Sequence, residues 1–79
     1  MNRRFNTIIA EVFGLREAEI RPELSKLDVD SWDSLKQMDL VMTLEREYSI
    51  LLEIPDILRL GSVADIQNVL RDKGVTLED

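Results

Sequence analysis

SLKQMDLVMTLEREY, residues Ser34–Tyr48, is the stretch on which the fold turns. At roughly 100° per residue it predicts a helix with Leu40, Val41, Leu44 and Tyr48 on one face, a stripe that has to be buried. Leu35, Met38 and Met42 fall on a different face, whereas a short surface helix normally needs one apolar stripe. Two explanations of the second stripe stay open. Either the loop before the helix folds across it, or it is an exposed patch whose methionines adapt to varied surfaces.

Working outward, Phe5, Ile8, Ile9, Val12 and Phe13 lie at i, i+3, i+4, i+7 and i+8, which predicts a helix over Arg3–Phe13 ended by Gly14. Residues 15–33 show no sustained period. They hold Pro22 and the spaced apolar residues Leu15, Ile20, Leu24, Leu27, Val29 and Trp32. A loop this long in so small a chain is usually functional or pinned by its own side chains, so each of these residues is expected to plug into the core. Ser49–Glu53 is a short apolar connection. Pro55 is expected to open a brief helix at its first position, with Ile57, Leu58 and Leu60 inward and Gly61 breaking it. Ser62 then reads as an N-cap, with Asp65 three residues on as a variant of the capping box. Val63, Ile66, Val69 and Leu70 give a last helix its apolar face, Gly74 closes it, and residues 75–79 are expected to fray. The expectation is an all-α, four-helix bundle in one domain over residues 1–79. Helices 1, 2 and 4 are long, helix 3 is short, and a long loop joins the first two.

Composition narrows the chemistry. The chain has no cysteine and no histidine, hence neither a thiol nucleophile nor a side chain that ordinarily titrates near neutrality. Nor has it a His/Cys cluster for structural zinc. Sixteen acidic against ten basic residues give a net charge of −6, a sign that repels phosphate backbones and anionic membranes. Nucleic-acid and membrane partners are not expected, and the absence of a basic recognition helix argues against a helix-turn-helix reader. The apolar stretches are too short to span a membrane. Glu11 interrupts the N-terminal one and no small-residue cleavage site follows, so a secretory signal is not expected and cytoplasm is the default. Asp28-x-Asp30-x-x-Asp33, with Asp39 beyond, resembles part of a calcium loop. It lacks the turn glycine and the terminal glutamate, so no dedicated metal site is expected.

What remains is Ser34, where the loop becomes a helix. As a serine before an apolar run it can simply be the N-cap. It is also a place where an anionic group can be attached, because unpaired N–H groups and the helix dipole favour a phosphate there. Asp33-Ser34-Leu35 is followed by Met38, Leu40-Val41-Met42, Leu44-Glu45-Arg46-Glu47-Tyr48 and then Ser62-Val63-Ala64-Asp65-Ile66. With four helices of matching length and the long loop 15–33, this pattern resembles the acyl carrier protein family over essentially the full chain.

The resemblance implies a carrier, not an enzyme, with 4′-phosphopantetheine from coenzyme A esterified to Ser34 and an acyl chain held on its thiol as a thioester. By position, Asp33 would be the acid that a phosphopantetheinyl transferase needs and Leu35 its hydrophobic contact. Met38, Asp39, Met42, Glu45 and Glu47 would lie on or beside the helix read by acyl-loading, acyl-modifying and acyl-transferring enzymes. An acyl chain would nest among Leu40, Leu44, Leu52, Leu60 or Ile66, which are also plain core positions. A monomer is expected of a protein handed between enzymes. Trp32 before the triplet, Lys36 after it, and a formal charge of −1 over Ser34–Tyr48 (Asp39, Glu45 and Glu47 against Lys36 and Arg46) depart from housekeeping fatty-acid carriers. They look more like discrete carriers of specialised lipid, polyketide or surface-sugar acylation pathways. Two alternatives stand beside this reading: an unmodified helical module docking through Leu35, Met38 and Met42, and an aminoacyl or peptidyl carrier.

Overall fold

The computed structural model describes residues 3–77. In chain order it runs α1 (Arg3–Phe13), a 3₁₀ turn (Glu17–Glu19), α2 (Ser34–Tyr48), α3 (Ile54–Leu58) and α4 (Val63–Asp72). This is the expected all-α arrangement, with α1 and α2 bounded where their apolar spacing placed them.

The core forms where the predicted stripes meet. Phe5 and Ile9 of α1, Leu40 and Leu44 of α2, Leu60 after α3, and Val63, Ile66, Val69 and Leu70 of α4 are fully enclosed. Each such side chain contributes roughly 1.5–3 kcal/mol on burial, against about 0–1 kcal/mol for an exposed ion pair, so this cluster sets the stability. Tyr48 packs at its edge, half-buried beneath the Arg4 guanidinium, which lies 4.8 Å from the ring centroid. Arg4 also donates to the Glu47 carbonyl and pairs with the Glu47 carboxylate at 3.6 Å, joining the start of α1 to the end of α2.

Three helices end alike, because a residue in the left-handed region lets the next N–H reach back to the carbonyl five residues before it. Leu15 N–H donates to Ala10 across Gly14 (φ +68°), Ile50 to Glu45 across Ser49 (φ +54°), and Val75 to Leu70 across Gly74 (φ +86°). Ser49 does this without the steric freedom of glycine.

Loop 14–33 is pinned as expected at Ile20, Leu24, Val29 and Trp32, all buried, with Leu15 partly so. Trp32 lies against Phe13 with ring centroids 4.5 Å apart, and the Ser31 hydroxyl donates to the Phe13 carbonyl at 3.1 Å. Mid-loop, Ser25 and Ser62 form an antiparallel β-bridge. Around it Val63 N–H donates to Leu24 O at 2.8 Å and Lys26 N–H to Gly61 O at 3.2 Å, stitching the loop to the start of α4.

Three details differ from the sequence reading. Leu27 is 95% exposed, because the turn that bonds Asp28 N–H to Ser25 O carries it outward between the anchors Leu24 and Val29. α3 starts at Ile54, which puts Pro55 at its second position, and its Leu58 is exposed; Ile57 and Leu60 alone turn inward. The tail is not frayed from residue 75: Val75 packs against the core and Leu77 is buried, while residues 78–79 lie outside the described part. Ser49–Glu53 buries Leu52 but leaves Leu51 exposed.

With little apolar surface to bury, α3 is tethered by polar contacts. Asp56 pairs with Lys73 at 2.8 Å and Arg59 with Asp72 at 2.8 Å, tying α3 to the end of α4. The Lys73 ammonium, and secondarily the Glu53 N–H at 3.0 Å, hold the Asp56 carboxyl below the usual carboxylate range, and Asp56 in turn raises Lys73. Glu19 is lowered by the Arg16 N–H and then by the Arg16 guanidinium. A carboxylate with a depressed folded pKa gives stability that is complete above its unfolded pKa, about 4. That stability is lost as pH falls through the folded value. Lys73's share is complete below about pH 10.4 and lost as pH rises through its raised value. Urea denaturation across the acid range is therefore expected to show a steeper loss of stability in wild type than in Asp56→Asn, with the two curves converging once Asp56 is protonated.

Candidate functional site

Ser34 opens α2 at the point where loop 14–33, sealed by Trp32, gives way to helix. The N-cap is Asp33, not Ser34. Asp33 is extended (φ −107°), its Oδ1 accepts from Lys36 N–H at 2.9 Å, and its carbonyl accepts from Gln37 N–H at 2.8 Å. The sequence points to Ser34 as the cap, and because either residue type caps well the structure can move it one residue earlier. The backbone decides this, because the residue whose carbonyl receives the first intrahelical bond is the cap. The bland reading of Ser34 as the cap is thereby removed. Its side chain is exposed at the first helical position and holds no capping duty. The amides of Ser34 and Leu35, which no intrahelical carbonyl can reach, give this end its affinity for anions.

Beside Ser34 the end of the loop is tied down by hydrogen bonds. Trp32 is buried, and its indole N–H donates to Gln37 Oε1 at 2.7 Å. The Gln37 amide nitrogen donates to the carbonyls of Ile57 at 3.2 Å and Leu60 at 3.1 Å. One side chain thus joins the loop, α2 and the far end of α3. Lys26, Trp32, Asp33, Ser34, Gln37 and Met38 line a concavity of about 400 Å³. Gln37 and Lys26 were missed from sequence. For Gln37 a signal existed, since a polar residue one turn ahead of buried Leu40 and Val41 needs partners.

The second stripe of α2 is uncovered. Leu35, Met38 and Met42 are 80%, 50% and 62% exposed, because the loop packs Trp32 toward α1 and leaves that face open. With Ser31, Asp33, Lys36 and Asp39 they line a shallow groove of about 480 Å³. Asp33, Ser34, Leu35, Met38, Asp39 and Met42 are therefore brought together. Glu45 and Glu47 are not part of that set. Glu45 accepts from Leu52 N–H at 2.9 Å, bracing the connection to α3, and Glu47 faces Arg4 at the other flank of α2. Asp39 pairs with Lys36 at 3.9 Å and Glu47 also with Arg46 at 3.5 Å, so the acids of α2 are largely matched. Leu40, Leu44, Leu52, Leu60 and Ile66, the candidate acyl-chain contacts, are all buried in the core. Asp28 is engaged by the N–H and hydroxyl of Ser25, and no group of three or more candidate metal ligands occurs among the described residues.

A chain without cysteine or histidine, with an exposed serine at an anion-favouring helix start, has the layout of a covalent attachment point. Comparison with known proteins shows the family. The family described as "Phosphopantetheine attachment site" matches residues 3–70. The chain belongs to this family. The holo acyl carrier protein of Geobacter metallireducens, solved in solution by NMR, is similar to this chain. The two share 30% sequence identity and a TM-score of 0.78, with 89% of this chain and 80% of that one covered. This is a carrier protein of the acyl carrier fold, not a catalyst, and the group its family holds covalently is 4′-phosphopantetheine.

Because the cap belongs to Asp33, the two neighbours should separate cleanly in stability. Ser34→Ala is expected to change the unfolding free energy by less than about 0.5 kcal/mol, and Asp33→Ala to cost about 1 kcal/mol through loss of the cap. Urea unfolding of the two variants measures both.

Proposed function

We propose that Ser34 bears the 4′-phosphopantetheine arm and that the protein presents acyl intermediates to successive enzymes. The arm supplies the thiol that this chain lacks, and on it an acyl group is held as a thioester. The observation that carries the reading is Ser34 itself, exposed at the first helical position beside a neighbour that does the capping. A modified Ser34 leaves the helix capped, and the Ser34 and Leu35 amides face the attached phosphate.

Asp33 and Leu35 flank the serine on the surface that a phosphopantetheinyl transferase must approach. Partner enzymes would read Leu35, Met38 and Met42 with Asp39 beside them. Glu45 and Glu47, committed to Leu52 and Arg4, would contribute less. With Asp39 paired to Lys36 among exposed Leu35, Met38 and Met42, this face suits an apolar contact better than a strongly basic partner. That favours a specialised lipid, polyketide or surface-sugar acylation pathway over bulk fatty-acid synthesis. A monomer working in the cytoplasm fits this role, and no described helix is long and apolar enough to cross a membrane. The exposed stripe equally suits an unmodified docking module, and a carrier of aminoacyl groups would differ in cargo alone.

Incubation with coenzyme A and a broad-specificity phosphopantetheinyl transferase, followed by intact-mass measurement, tests the reading. One phosphopantetheine is expected on wild type and none on Ser34→Ala. A folded wild-type chain that gains nothing would leave the docking-module reading in its place.

A further inference from the structure

The surroundings of Ser34 pose an electrostatic problem. A phosphodiester there would add a negative charge directly beside the Asp33 carboxylate, whose cap bond to Lys36 N–H fixes it in place. The helix start opposes that repulsion with partial charges only. Two lysines are close in structure. Lys36 is committed to Asp39 and lines the groove of Leu35 and Met42. Lys26 differs on each count. It lines the same concavity as Ser34, and it forms no ion pair among the described residues. Its backbone is held by the bond to Gly61 O, next to the Ser25–Ser62 bridge. The ammonium is thus an exposed cation without an ion pair, on a backbone held by hydrogen bonds, beside a floor tied together by Trp32 and Gln37.

We propose that Lys26 is the counter-ion of the phosphodiester on Ser34, and that it draws the first part of the arm into the concavity floored by Trp32 and Gln37. This rests on the reading of Ser34 as the attachment residue. Lys26 acts here as a positioning residue: it neutralises the phosphate against Asp33 and biases the arm away from the Leu35/Met42 groove, which stays open for a partner. The sequence gives no hint of it, since Lys26 lies in an aperiodic loop eight residues before the serine.

The chain has three lysines, Lys26, Lys36 and Lys73, and one tryptophan, so side-chain NMR reads the idea directly on unmutated protein. After intact mass has established loading, the 13Cε and 15Nζ signals of Lys26 are expected to move between apo and holo forms while those of Lys36 and Lys73 hold still. The Trp32 indole N–H signal is expected to move as well. In loaded Lys26→Gln protein the indole displacement should fall at least about twofold, as the ion pair is lost. Loading that leaves the Lys26 signals unmoved, or an indole displacement that is the same in Lys26→Gln, would overturn the proposal with the attachment reading intact. Failure of wild type to gain mass would overturn that reading instead, and this inference with it.

Discussion

The hydrogen bond from the Trp32 indole to Gln37 is the constraint around which the site is organised. A tryptophan at the end of a long loop can be buried only if its N–H finds a partner. Gln37 accepts that bond through Oε1 while its amide N–H groups donate to the carbonyls of Ile57 and Leu60. The loop end, the first turn of α2 and the end of α3 are fixed by one amide. With Trp32 held inward against Phe13, the chain leaves the core at Asp33, and Ser34 emerges exposed.

Neighbouring residues then divide the work. Asp33 caps, Ser34 is free to be derivatised, and Leu35 begins an exposed apolar stripe continued by Met38 and Met42. The acids farther along α2 serve structure: Glu45 braces Leu52, and Glu47 holds α1 through Arg4. On the proposed reading, an arm on Ser34 lies outside the framework that maintains the fold, so changes of cargo need not disturb the core.

How much of this was legible in sequence depended on periodicity. Phe5, Ile8, Ile9, Val12 and Phe13 fixed α1, and Leu40, Val41 and Leu44 fixed the buried face of α2, because core burial enforces the 3.6-residue repeat. Where no repeat exists, burial has to be settled by turns. Leu24 and Val29 went in while Leu27 went out, and nothing in their hydrophobicity distinguishes them. Leu58 was misplaced for a related reason, since five residues of α3 are too few to define a face. The cap fell one residue from where Ser34 suggested, because aspartate and serine are equally suited to it. The Gln37 bridge and the nearness of Lys26 to Ser34 join parts of the chain that only the tertiary structure brings together.

Fragmentation of the intact loaded protein in the mass spectrometer is the most direct test of Ser34 as the attachment residue. Fragments from the N-terminus ending at Asp33 should be unmodified, and those extending past Ser34 should all carry one phosphopantetheine. The same added mass on Ser25, Ser31, Ser49 or Ser62 would contradict the assignment and move the site to another part of the surface.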